Sequence, residues 1–276
     1  MGESNLTRNL ILVAVLVSLS VGLFGFPDDG DETLALGSTT LHPIMNEFKA
    51  EYESEDPEFI LSVTGGGSGQ GVNSVAMGTA DIGMTSREVR DIEQEAEPDL
   101  KSHVIGLDGL AIVVGSNAGV SDLTLDQVKG IYSGDINNWE EVGGNDAPIF
   151  VNTREAGSGT FDCFDRIVMD GAAIDFDNEV NSNGGMKGAV SGNPNAIGYV
   201  GFNFLGDDIT AVSIVVDGEA VAPSKENVMD GSYPLHRDLI LVTNGEPEGA
   251  LKDFMEWTLS PAAQAIVEEA GYIPLP

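Results

Sequence analysis

The stretch TLALGSTTLHPIMNEFKAEYESEDPEFILSVTGGGSGQG, Thr33–Gly71, decides the fold. Leu34–Leu36 and Phe59–Val63 are short apolar runs that read as strands. Between them Ile44, Phe48 and Tyr52 recur every four residues, the spacing of one helix face. Strand, helix and strand, with a glycine-rich loop after each strand, is the grammar of an α/β protein with a largely parallel sheet.

The alternation continues outward from this stretch. Ile82–Met84, Val104–Ile105 and Leu110–Val114 read as strands; Asp122 or Thr124 can cap a helix that turns Leu125, Val128, Ile131 and Tyr132 inward. Ile149–Thr153 and Ile197–Val200 are further strands, with helices expected near Phe161–Met169 and Gly185–Val190 between them. The chain returns to β at Val212–Val216 and Leu239–Thr243, then closes with helices through Phe254 and, after Ser260 with Pro261 at the first helical position, through Val267. No repeat of fixed period is visible.

At 276 residues the chain can hold one large or two medium domains. Its 45 acids against 12 Lys plus Arg give a formal charge of −33, which repels a nucleic-acid backbone and excludes that partner. The acids are scattered like a solvated shell, a distribution that suits a salty milieu and also ordinary extracytoplasmic proteins. Cys163 is alone, so neither an intrachain disulfide nor a multi-cysteine zinc site can form. His42, His103 and His236 lack paired metal-ligand spacing; no metal and no cofactor are expected.

Near the N-terminus, Arg8 precedes an apolar run from Leu10 to Phe26, a basic region followed by a hydrophobic one that reads as an export signal. At about 17 residues the run is also barely long enough to serve as an uncleaved membrane anchor. Pro27–Glu32 is an acidic linker, and the folded part is expected to begin near Thr33.

Three loops share one design, glycine and hydroxyl residues just before a helical pattern: Gly37-Ser38-Thr39-Thr40, Gly65–Gly71 with Ser68, and Arg154–Thr160 with Ser158, Gly159 and Thr160. Unpaired N–H groups at a helix start favour anions, glycine lets an oxyanion approach the backbone, and hydroxyls add donors. Arg154 adds a planar guanidinium that can hold two oxygens at once. One such loop is usually only a cap and a turn; three in one α/β chain point to a bound anion. None fits the GxxxxGK[ST] nucleotide loop or the G-x-S-x-G nucleophile elbow.

Taken with Thr85-Ser86-Arg87, the run Ile131-Tyr132-Ser133-Gly134, Asn138-Trp139 and Gly143-Gly144, these loops resemble the phosphate-binding proteins of bacterial and archaeal phosphate ABC transporters, the PstS family. The resemblance spans Thr33 to Pro276. It implies a two-lobed periplasmic-binding-protein fold of type II, each lobe a mixed, mostly parallel sheet flanked by helices, with the ligand in the cleft between them. Residues 33–113 and 205–276 would form the first lobe, 114–204 the second, and 1–32 the export segment and linker.

The resemblance further implies that Thr39, Thr40, Ser68, Arg154, Ser158, Gly159 and Thr160 contact phosphate. Many relatives carry an aspartate in the fourth loop that accepts the proton of phosphate; here Ser86 and Arg87 stand there, both candidates for the site. Asp108, in Leu107-Asp108-Gly109, is the candidate acceptor in its place. The expected function is capture of inorganic phosphate outside the cytoplasm and delivery to a membrane ABC permease, by a monomer without enzymatic activity. The lobes would close by hinges near Leu110 and Phe204. The rival readings are a receptor for sulfate or molybdate and a secreted serine-dependent phosphatase.

Overall fold

The computed structural model describes residues 32–276, and the expected export segment and linker lie almost wholly outside them. Three parallel strands, β1 (Thr33–Gly37), β2 (Leu61–Gly65) and β3 (Ile82–Thr85), are joined by the helices His42–Glu55 and Ser68–Ala76. In β1 the side chains alternate: Ala35 packs with Ile44, Phe48 and Leu61 on one face, while Leu34 and Leu36 meet Val72 and Val75 on the other. The sheet is therefore buried on both sides, as the crossover helices of a parallel sheet require.

β4 (Leu100–Val114) is one continuous strand of 15 residues where the sequence suggested two shorter ones. Its first part, Leu100–Gly109, pairs antiparallel with β12 (His236–Asn244); its last part, Leu110–Val114, pairs with β8 (Ala196–Gly201). The sequence reads as two strands because Gly106, Asp108 and Gly109 interrupt the apolar run, yet each has a local reason to be there. A Cβ on Gly109, for example, would lie 2.1 Å from the Phe202 ring.

The second region continues from β8 to β6 (Phe150–Arg154) and then, at the edge, β7 (Asn178–Val180), all parallel, with β9 (Thr210–Ala211) beside the end of β4. A small sheet of β5 (Asp122–Thr124), β10 (Ser213–Val216) and β11 (Glu219–Val221) covers it. Its core gathers Tyr132, Trp139, Phe164 and Tyr199, with the last two rings stacked at 4.2 Å. The expected helix at Phe161–Met169 begins earlier, as Gly159–Phe164, and widens over Asp165–Met169, where the Asp170 N–H reaches the Asp165 carbonyl.

The sequence reading places 205–276 in the first lobe, but Val212, Ile214, Val228, Tyr233 and Leu235 from the stretch 205–235 pack in this second core, as do Leu110–Val114. The chain thus passes between the cores at Gly109/Leu110 and at Leu235/His236, adjacent points where the Leu110 N–H donates to the Leu235 carbonyl at 2.8 Å. Apolar alternation marks β10 as a strand but does not say which sheet it joins, and its partner β5 lies about ninety residues away. Among the described residues no helix is long and apolar enough to cross a membrane.

Candidate anion-binding site

The site begins with glycines that let three chain segments meet. Gly37 ends β1 at φ 142°, and a Cβ there would lie 2.2 Å from the Met84 carbonyl oxygen. Its own carbonyl accepts from the N–H groups of Gly66 and Gly67 at 2.7 and 2.9 Å, which ties the first loop to the second. Ser38 donates its N–H to Met84 at 2.8 Å, which ties it to the end of β3.

Hydroxyls from these strand ends converge. The Ser38 hydroxyl donates to Ser86 Oγ at 3.0 Å, Ser68 Oγ lies 3.4 Å from Ser86 Oγ, and the Ser86 N–H donates to Ser68 Oγ at 3.1 Å. The opposite lobe closes on them: a Cβ on Gly159 would sit 2.3 Å from Ser68 Oγ and 2.5 Å from Ser86 Oγ. Thr40 Oγ1 faces Thr160 Oγ1 at 3.4 Å, and the Thr40 N–H donates to Ser38 Oγ at 3.2 Å. All five of these hydroxyl residues are buried.

Two residues that the sequence did not single out complete the cluster. The Asn183 amide donates to Thr40 Oγ1 at 2.9 Å and lies within 3.3 Å of Thr39 Oγ1 and 3.5 Å of Thr160 Oγ1. Its own oxygen accepts from the Gly201 N–H. The Arg237 guanidinium donates to Thr40 Oγ1 at 3.0 Å and, through Nη2 and Nε, to Asp108 Oδ2 at 2.9 and 3.3 Å. A readable signal for Arg237 existed. In β12 it shares the inward face with Leu239 and Leu241, and an inward arginine in so acidic a chain calls for a partner. Asn183 sits in Asn181-Ser182-Asn183-Gly184-Gly185, which reads as an ordinary helix start.

The expected residues divide accordingly. Thr40, Ser68, Ser86, Gly159 and Thr160 meet in the cluster, and Thr39 touches it through Asn183. The Ser158 hydroxyl instead caps its helix, accepting from the Thr160 and Phe161 N–H groups at 3.2 and 3.3 Å. Arg154 ends β6, 1 % exposed, with Nε and Nη2 on Glu155 at 2.9 and 3.0 Å. Arg87 turns away from the hydroxyls: its terminal nitrogens grip Glu93 at 2.8 and 2.7 Å and its Nε lies 2.6 Å from Asp162. Asp108 is fully buried, and both of its oxygens already accept, one from Arg237 and one from the Phe202 N–H at 3.2 Å. Burial pushes its carboxyl above the ordinary aspartate range, with Arg237 and Phe202 pulling the other way.

Among the described residues, buried guanidinium nitrogens of Arg154 and Arg237, Nη1 in each, have no hydrogen-bond acceptor, and Arg87 Nε meets Asp162 as an ion pair without hydrogen-bond alignment. None of the three histidines hydrogen-bonds a serine among the described residues: His42 meets Asn46, His103 meets Thr243 and His236 meets the Tyr233 carbonyl. Among the same residues, no three His, Cys, Asp or Glu side chains group to hold a metal ion. Cys163 is buried, and burial raises its thiol pKa.

Two cores linked by crossing strands, with a buried polar cluster where they meet, define a two-lobed receptor of the periplasmic-binding-protein type II class. The comparisons agree. A family model described as a PBP superfamily domain matches residues 27–262. The phosphate-binding protein PstS of Bacillus subtilis (strain 168) is 34% identical over 241 residues, covering 87% of this chain and 79% of that one.

Among solved structures, a putative phosphate ABC transporter substrate-binding protein with bound phosphate from Clostridium perfringens superposes with a TM-score of 0.83 at 35% identity, covering 89% of this chain and 100% of its own. An ABC-type phosphate transport receptor from Vibrio cholerae gives 0.73 at 34%, with 89% and 100% covered. The chain belongs to the PstS family of phosphate-binding proteins.

Proposed function

We propose that this chain captures inorganic phosphate between its two lobes, outside the cytoplasm, and hands it to an ABC-type importer. One observation carries the reading. Five hydroxyls and one amide from both lobes (Ser38, Thr40, Ser68, Ser86, Thr160 and Asn183) converge in a buried cluster, on which Arg237, with an unpartnered guanidinium N–H, also bears. A buried charged donor without an acceptor costs about 1–3 kcal/mol or more, and a tetrahedral oxyanion supplies acceptors to several such donors at once. The phosphate named in the relatives' descriptions is an anion of that shape.

In this reading phosphate meets the strand-end hydroxyls of the first lobe, and the second lobe then brings Gly159, Thr160 and Asn183 onto it. Each lobe contributes donors, so the anion favours the closed state, which is the differential affinity that closure requires. The lobes hinge at Gly109/Leu110 and Leu235/His236, with Phe202–Phe204 alongside. Asp108, held by Arg237 and Phe202, serves as the counterion that positions Arg237, and a hydroxyl lone pair in the cluster accepts the hydrogen bond that the P–OH group donates.

The chain works as a monomer, binds and releases without catalysis, and presents its closed form to a permease. Its apolar segment Leu10–Phe26, outside the described residues, would direct export or anchorage. Calorimetric titration of ligand-stripped full chain with phosphate, sulfate and molybdate tests the reading. Saturable binding of one phosphate per chain is expected. A preference for sulfate or molybdate would transfer the site to that ion, and no saturable anion binding would end the reading. Turnover of a phosphate ester that is lost in Ser68→Ala would restore the hydrolase alternative.

A further inference from the structure

Beside the hydroxyl cluster, an ion-pair group crosses the cleft. Arg87 and Arg90 lie in the first lobe, just after β3 and before the helix Asp91–Ala96; Asp162 lies in the second, in the helix Gly159–Phe164. Arg90 Nη2 donates to both Asp162 oxygens at 2.7 and 2.6 Å, and Arg87 Nε lies 2.6 Å from Asp162 Oδ2. The same Arg87 is gripped by Glu93, which also accepts from the Arg90 backbone N–H at 2.9 Å. Glu93 therefore holds both arginines in place within the first lobe, and Asp162 is their one second-lobe partner among the described ion pairs.

Asp162 follows Thr160 by two residues, so the motion that brings Thr160 onto Thr40 also brings Asp162 onto the arginines. The Asp162 and Arg87 side chains are 18% and 6% exposed, so part of the pair is shielded from salt, whereas Arg90 at 47% is open to it. Four of the chain's six arginines, Arg87, Arg90, Arg166 and Arg237, line the cavity of about 600 Å³ at this edge of the cleft. Among the described residues no hydroxyl of the cluster hydrogen-bonds the Asp162 carboxylate, which meets Arg87 and Arg90 instead.

We propose that Asp162, bound by Arg87 and Arg90 only when the lobes are closed, is a cross-cleft latch that sets how long the bound anion stays. The latch rests on the phosphate reading above. It positions the closed state rather than touching the ligand, so removing it speeds release and leaves capture alone.

The test is stopped-flow kinetics of inorganic phosphate with full-chain protein. Asp162→Asn is expected to raise the dissociation rate about tenfold while the association rate stays within about twofold. Arg90→Gln should give part of that rise, and adding Arg90→Gln to Asp162→Asn should add nothing, the coupling of a direct pair. Asp162→Glu should recover part of the wild-type residence time, and salt should speed release from the wild type more than from Asp162→Asn.

An unchanged dissociation rate in Asp162→Asn, in a protein whose wild type binds phosphate, overturns the latch while leaving the site intact. So do additive effects of the two substitutions. If the wild type binds no phosphate, the site reading and the latch fall together.

Discussion

Replacing Arg237 by glutamine probes both the fold and the site. In the wild type Asp108 is fully buried and Arg237 is 4 % exposed, so little solvent screens their pair at 2.9 Å. Removing one member of a buried ion pair leaves an uncompensated charge and costs about 3–5 kcal/mol. For a chain of this size each kcal/mol moves Tm by about 2–4 °C, so Arg237→Gln should melt roughly 6–20 °C below wild type at pH 7.5.

The pH dependence gives that figure a cause. Burial already raises the Asp108 carboxyl, and without Arg237 nothing but the Phe202 N–H opposes it. A carboxyl whose folded pKa is raised contributes stability that is fully present below the unfolded value, about 3.9, and lost as pH climbs through the folded one. The variant's deficit should therefore narrow as pH is lowered and Asp108 takes up a proton, and Asp108→Asn added to Arg237→Gln should recover much of the loss. Scanning calorimetry at pH 5 and 7.5 reads both. A Tm within 2 °C of wild type, or a deficit independent of pH, would refute the account of the pair.

Gly159→Ala places a methyl group 2.3 Å from Ser68 Oγ, across the lobe boundary, so phosphate affinity should fall roughly ten- to a hundredfold by titration calorimetry while Tm of the unliganded protein changes little. Asn183→Ala removes the one amide that reaches Thr39, Thr40 and Thr160, and about a tenfold loss of affinity is expected in the same titration. Burial pushes the Glu93 carboxyl up, but hydrogen bonds from Arg87 and the Arg90 N–H outweigh it and leave the group below the ordinary range. Its contribution to stability is thus present above the unfolded value of about 4.3 and lost as pH falls through the depressed one, so the acid limb of a Tm–pH curve should be shallower in Glu93→Gln than in wild type.

The architecture was legible where local pattern and tertiary role coincide. The fourfold spacing of Ile44, Phe48 and Tyr52 marks a helix that buries those three side chains. The hydroxyl loops were legible for the same reason, since glycine at Gly37 answers to the Met84 carbonyl and glycine at Gly159 to the Ser68 and Ser86 hydroxyls. Legibility failed where one residue serves two distant segments. Phe59 reads as part of a strand, yet the strand starts at Leu61 and Phe59 stacks on Phe254 from the other end of the chain. Arg87 stands beside Ser86 and looks like an anion ligand, but its direction is set by Glu93 and by Asp162, which is 75 residues on. Asp108 reads from sequence as a candidate proton acceptor, and its partner Arg237, 129 residues away, cannot be placed beside it without the fold.

These pairings also explain how a chain of charge −33 offers an anion a home. Each arginine near the cluster has a carboxylate of its own: Arg154 has Glu155, Arg237 has Asp108, and Arg87 has Glu93 and Asp162. By charge counting the site is close to neutral, so it cannot draw phosphate in by its field against the rest of the surface. What remains is the local arrangement of donors. Within each lobe Ser38, Ser68 and the Asn183 oxygen are fixed by backbone N–H groups, and these dipoles work at hydrogen-bond range where the distant acids are screened. The carboxylate partners fix the guanidiniums in one orientation and leave Nη1 of Arg154 and of Arg237 unspent. An anion that reaches the donors of both lobes stabilises their closed arrangement, and one that misses a contact loses it, so affinity follows from these local donors and not from net charge.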